Sequence, residues 1–321
     1  MLNDEHKSHG RNTMKSNESV SNLVEFANDN GLSIAGVESI PELSIAEILT
    51  SNPFDDNDED LYYAQGKFIT MAKVDGKVFH HRQVSEQYRV TPYADTIRIT
   101  LDSILQQSPE FGKPEIKLNF IPGGGRMFAE YRFPEVPQNL APSKKKQDPV
   151  IPRIIVKDSI DLSGRFSAVS GVFRLVCSNG MIVAHPDFKA EKFFMMHKSH
   201  AYNLDNALES LNTSLKKISE ATDLWKAYMK EKITTLQLAD VMEASNMSLR
   251  AQEKVLQLPI IGTDTTLLNS VKQGRVNAWT VLNALTQFAT HEVENVTTSV
   301  DLQESALAAM DSALGLTAVN F

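Results

Sequence analysis

Two spacings of apolar residues divide the chain. Between residues 67 and 184 they come in short runs bounded by Gly, Pro and Asn, as strands do. Beyond residue 200 they recur three and four apart, as on helices. The first two runs, residues 67–73 and 78–82, flank Asp75-Gly76, and a turn pair that tolerates positive φ predicts a tight hairpin. Thr91-Pro92 then reads as the N-cap and first-turn proline of a helix to about Gln107, with Ile97, Leu101, Ile104 and Leu105 as its buried stripe. Strands at 115–121 and 126–133 flank Pro122-Gly123-Gly124-Gly125, which reads as a flexible hairpin tip. Residues 134–152 hold five prolines and Lys144-Lys145-Lys146, an interdomain linker or a long exposed loop. Strand character returns at 151–160 and 165–176, and Cys177-Ser178-Asn179-Gly180 predicts a turn into 181–184.

In the helical part, Leu204, Leu208, Leu211, Leu215, Ile218, Thr222, Trp225 and Met229 form a heptad seam, predicting a long helix at about 202–232. Shorter helices are expected near 235–244, 247–257, 264–273, 276–293 and 299–314, the last closed by Gly315. They offer the seam partners within the chain, and a second subunit is the alternative. Upstream, residues 21–30 before Gly31 and residues 41–50 after Pro41 predict two short docking helices. Residues 1–18 have no period and predict disorder, and residues 55–60 (Asp-Asp-Asn-Asp-Glu-Asp) predict a solvated acidic linker. The expected fold is α+β. An acidic, largely disordered arm (1–60) precedes a mixed or antiparallel sheet with one packed helix (61–200), and a helical region (201–321) packs on it.

Charge sharpens this division. The net charge of −8 resolves into −10 over residues 1–60, +7 over 61–200 and −5 over 201–321. A polyanion responds to the local field of one face rather than to net charge, so the basic middle third is the part to examine. The single cysteine, Cys177, excludes an internal disulfide framework. No apolar stretch approaches the ~20 residues of a membrane helix, and the polar start is not a signal peptide, so a cytoplasmic location is expected.

No set of residues specifies a reaction. His197 and His200 stand three apart, with His185 and Cys177 upstream, and His80-His81 are adjacent. A metal site needs three or four converging ligands, and no Cys-x-x-Cys or His-Glu-x-x-His is present. Neither a metal nor a cofactor is expected. The glycine run leads into a strand rather than a helix N-terminus, so it is not a nucleotide loop; a tip bearing Arg126 could still track a phosphate backbone. Cys177 has no base beside it in sequence and reads as a buried thiol. No catalytic residue is assigned.

Nucleic-acid binding has distributed support. Lys73, Lys77 and Arg82 lie with Lys67 on the first hairpin, Lys144, Lys145 and Lys146 in the loop, and Arg153, Lys157 and Arg165 on later strands. Phe79 and Phe166 are candidate stacking platforms, each stacked base contributing ~1–3 kcal/mol. Strand alternation offers the competing reading, in which the aromatics are core and the cations a solvated face. A tethered acidic arm would compete for the basic face at high effective concentration, so deleting residues 1–60 should tighten single-strand binding at low salt.

The run Arg174-Leu175-Val176-Cys177-Ser178-Asn179-Gly180 resembles the Arg-x-x-Cys-x-Asn-Gly signature of the domain-of-unknown-function 932 family. Trp279, Asn283 and Thr286, with His291 after them, are similar to that family's C-terminal Trp-x-x-x-Asn-Ala-x-Thr helix. Order and spacing agree over roughly residues 65–295, although the Trp-His-x-x-Gly opening of many members is not found. The resemblance implies a bacteriophage, prophage or plasmid setting and no reaction, and its signature residues read as structural. Phage single-strand annealing proteins of the Red-beta and Erf kind are similar in architecture alone. The expectation is a DNA-metabolism accessory protein of a mobile genetic element. It would bind single-stranded DNA through a basic sheet face and assist annealing in recombination, with a replication or recombination protein or a second copy as further partners. The alternatives are a protein–protein module that redirects a host factor, its acidic arm a nucleic-acid mimic, and a cryptic enzyme around Cys177, His185, His197 and His200.

Overall fold

The computed structural model describes residues 16–51, 61–85, 88, 90–139, 149–164, 166–174, 179–182, 225–260 and 264–315. The predicted loop lysines Lys144, Lys145 and Lys146, together with Arg165, Cys177, His185, His197 and His200, lie outside them, as do residues 55–60, read as an acidic linker. So does most of the predicted long helix; its end is helical at residues 225–230 and stops there.

Among the described residues two sheets carry the fold. The larger has seven strands: β1 (Ile34–Ala35), β5 (Glu115–Phe120), β6 (Arg126–Arg132), β8 (Pro149–Ser159), β9 (Ser167–Arg174) and β10 (Asn179–Ile182) in that order, with β7 (Gln138–Asn139) paired beside β8. It is mixed, because β1 joins β5 in parallel and the other pairings are antiparallel. The smaller sheet has three antiparallel strands, β2 (Glu42–Ser51), β3 (Leu61–Val74) and β4 (Lys77–Ser85). Asp75 (φ 51°) and Gly76 (φ 78°) make the predicted turn between β3 and β4.

Residues 41–50 correct the sequence reading, which expected a helix. Their apolar spacing suits either state, and pairing with β3 (Leu43 against Ala72, Ile45 against Thr70) decides for a strand. The predicted turn at residues 177–180 is corrected as well. Asn179 and Gly180 already belong to β10, opposite Arg174 and Phe173, while Cys177 and Ser178 lie outside the described residues.

Helix α1 (Ser16–Asp29) stops at Gly31 (φ 63°), and α2 (Tyr93–Gln107) starts one residue after Pro92. Tyr93, Ile97, Leu101 and Ile104 of α2 are buried in one core with Leu23 and Ala27 of α1, and with Ile116, Met127, Tyr131, Ile154 and Val156 of the large sheet. That sheet face alternates with a second face bearing Arg126, Phe128, Glu130, Arg153, Ile155 and Lys157.

Among the described residues five helices follow: α3 (Thr235–Ala244), α4 (Leu249–Gln257), α5 (Leu267–Lys272), α6 (Ala278–His291) and α7 (Val296–Leu314). Each begins where a side chain caps it: Thr234, Ser248, Thr266, Asn277 and Asn295 accept from the amides of Gln237, Ala251, Asn269, Thr280 and Thr298. Helix α7 ends at Gly315 (φ 63°), as its sequence predicts. Its Ala306, Leu307 and Met310 join the main core, while Val300 near its start packs on Phe128 and Ile155 of the second sheet face.

Candidate nucleic-acid interface

The sequence groups the cations of the hairpin and of the later strands as one surface, and folding separates them. On the small sheet, Lys67 and Lys73 share one side of β3 with Ile69 and Met71, and β4 sets Val78 opposite Lys73 and His80 opposite Met71. Lys77 stands next to the turn. The ladder skips at Thr70, so His81 and Arg82 both face that one residue, a bulge that widens the exposed strand. Lys67, Lys77, His80 and Arg82 are exposed, as is Val78 at 54%. Among the described residues Lys67, Lys77 and Arg82 form no ion pair; Lys73 reaches Glu42 at 3.5 Å across an open surface, a contact worth little.

On β6 and β8 of the large sheet the described cations are spent inside the protein. Arg153 is 3% exposed; its Nη1 donates to Glu130 at 2.9 Å and its Nη2 to Gln303 of α7. Lys157 donates to Glu304 of α7 and lies 4.0 Å from Asp301. Arg126 donates from Nε to Asp161 at 2.9 Å and reaches Thr297, at the start of α7, at 3.5 Å. Burial by itself would raise the Glu130 carboxyl, but Arg153 and Arg132 outweigh it and hold it below the ordinary carboxylate range. Arg153 therefore has no phosphate-facing surface, and Arg126 and Lys157 are half-buried and paired, with Asp161 and with Asp301 and Glu304 of α7, rather than the open contacts the sequence suggested. Phe166 is 2% exposed in the main core and offers no ring to a base. Phe79 is 37% exposed, with its ring edge over Gly123.

Gly123, Gly124 and Gly125 are buried rather than a flexible tip. Gly124 has φ +72°, and a Cβ there would fall 2.8 Å from Pro41 and 3.0 Å from Val74. The loop's polar groups are used: the Gly124 amide donates to Ile121 O at 2.9 Å, and Gly125 O accepts from the Ile160 amide at 2.9 Å. Gly124 O accepts from the Tyr93 hydroxyl at 3.3 Å, and a His81 ring nitrogen lies 3.1 Å from Gly123 O. Burial, then Asp158 and Asp161, pushes the Tyr88 and Tyr93 hydroxyls up, so both stay protonated. Thr70 adds a bond to Ile160 O at 2.8 Å. This loop fastens the small sheet to the end of the large one.

The two signature segments meet. Helix α6, bearing Trp279, Asn283, Thr286 and His291, packs on β10, where Asn179 and Gly180 lie; Arg174 is opposite Asn179 on β9. Trp279 is 5% exposed and stacks at a tilt on Trp225, ring centres 6.3 Å apart. Asn283 donates to Trp279 O at 2.7 Å and Thr286 to Leu282 O at 3.0 Å, bonds that satisfy buried polar groups within the helix. Among the described residues no three His, Cys, Asp or Glu side chains converge on a metal position. No helix among them is long and apolar enough to cross a membrane.

Among the described residues these features define an α+β protein of two sheets with a helical C-terminal region whose last two helices pack on the larger sheet. The chain belongs to the family described as Domain of unknown function (DUF932), which matches residues 80–313. No curated protein and no solved structure matches it.

Proposed function

We propose that this chain binds single-stranded nucleic acid along the β3–β4 hairpin, in DNA metabolism of a mobile genetic element. One observation carries the reading. The hairpin keeps Lys67, Lys77 and Arg82 exposed and, among the described residues, without an ion-pair partner, while the described cations of β6 and β8 already face internal acceptors. Phosphates would meet Lys67 and Lys73 on one side of the hairpin and Lys77 and Arg82 along its outer strand, whose Phe79 faces the other side with Ala72. A bulged, twisted strand rimmed with cations tracks a flexible backbone without reading sequence, so weak base preference is expected.

Four phosphate contacts to a single strand predict a log–log salt slope of about −3, at ~0.7 per contact. Fluorescence anisotropy with a labelled oligonucleotide between about 50 and 200 mM salt measures it. Replacing Lys67, Lys77 and Arg82 by alanine should bring the slope to about −0.7, while Lys157→Ala leaves it unchanged. Absence of binding at the lowest salt, or a triple variant with the parental slope, refutes the proposal.

A further inference from the structure

The small sheet ends on both sides in a strand that pairs with nothing further among the described residues: β2 on one side, β4 on the other. An edge strand presents a row of backbone donors and acceptors to any chain that can pair with it. These edges are long, ten residues in β2 and nine in β4, and opposite in charge. β2 carries Glu42 and Glu47 and no Lys or Arg; β4 carries Lys77, Arg82 and two histidines and no Asp or Glu.

Charge on an edge ordinarily keeps chains apart, and here it does so selectively. Two β4 edges would set cation against cation, and two β2 edges glutamate against glutamate. Only β4 of one copy against β2 of another sets cations against carboxylates. Both strands run antiparallel to β3 and therefore parallel to each other, so copies in one orientation can join the two edges as a parallel pair.

We propose that copies of this chain assemble head to tail through β4 and β2, continuing the small sheet from one copy to the next. Each copy has one edge of each kind, so the contact does not close as a two-fold dimer; it closes as a ring or runs on as a filament. Lys67 and Lys73 of successive copies then line one continuous face. The inference concerns the protein alone and stands whether or not that face binds nucleic acid.

The test uses the full chain without nucleic acid, by sedimentation velocity across concentration and salt. The parent should form species larger than a dimer that dissociate as salt rises. Glu42→Lys with Glu47→Lys, and separately Lys77→Glu with Arg82→Glu, should each be monomeric, and their equimolar mixture should regain the assembly. A parent that is monomeric throughout or stops at a dimer overturns the proposal, as do folded variants that still assemble alone or fail to assemble together. Should a variant not fold, hydrogen exchange of the parent decides. Amide protection in β2 and β4 that grows with concentration supports the contact, and concentration-independent exchange refutes it. Assembly without oligonucleotide binding would overturn the nucleic-acid reading only.

Discussion

Replacing Arg153 by methionine tests whether the second face of the large sheet is an internal ion-pair seam or an open binding surface. The Arg153 side chain is 4% exposed and that of Glu130 12%. Methionine keeps much of the volume and removes the charge, so Glu130 is left with Arg132 alone, at 2.8 Å and 25% exposed, and Gln303 loses its donor. Removing one member of a buried pair costs about 3–5 kcal/mol, because the stranded charge keeps its desolvation penalty. Replacing Glu130 by methionine as well should recover most of this, since it also removes the stranded group. Urea titration of the two single variants and the double variant measures the cycle. Linkage adds an independent check. The folded Glu130 carboxyl lies below its unfolded value, so its contribution is complete above the ordinary carboxylate range. It is lost as pH falls through the lower folded value, and Arg153→Met should flatten that acid limb. The variant should also leave the oligonucleotide salt slope unchanged. A single-variant loss within ~0.5 kcal/mol would mark Arg153 as a surface cation and refute the seam.

Three shorter predictions follow from other contacts. Gly124→Ala places a Cβ against Pro41 and Val74 at φ +72° and should cost about 1–3 kcal/mol for the backbone alone, read by urea titration, with the small sheet losing amide protection first. Trp279→Ala removes a buried ring from the contact with Trp225 and should cost about 3–5 kcal/mol. Burial would raise the Asp161 carboxyl, but hydrogen bonds from Ser163 and Arg126 outweigh it and hold it low; Asp161→Asn should lower stability at neutral pH and weaken its decline in acid.

The parts legible in sequence are those fixed by local chemistry. Asp75-Gly76 makes its turn because both residues accept positive φ, and the stripe of α2 is buried because its spacing is that of a helix. The misreadings have non-local causes. Residues 41–50 became a strand through β3, whose partners lie more than ten residues on. Three glycines suggest flexibility when viewed alone; in the fold they are small because Phe79, His81, Pro41 and Val74 occupy the space a side chain would need. The basic residues were the hardest to place. Arg153 meets Gln303 and Lys157 meets Glu304 across 150 and 147 residues, and no pattern within a strand announces a partner so distant.

Where the family match begins bears on the function. Residue 80 lies inside β4, so β2, β3 and the turn, with Lys67, Lys73 and Lys77, precede the matched segment, which holds β5–β10 and the C-terminal helices. That shared part is organised for internal satisfaction. Its helix α6 packs against β10, and the described arginines and lysines of β6 and β8 face acceptors on their own sheet, Asp161 or α7. For that face to hold a polyanion, α7 would have to leave, taking Ala306, Leu307 and Met310 out of the main core. Burying side chains of this size contributes about 1.5–3 kcal/mol each for the larger two, a cost that surface phosphate contacts would have to exceed before any binding appeared. The hairpin asks for no such rearrangement, since its cations are exposed in the folded chain. A chain with the matched core but uncharged residues at 67, 73 and 77 should therefore fold as this one does and bind single strands far more weakly.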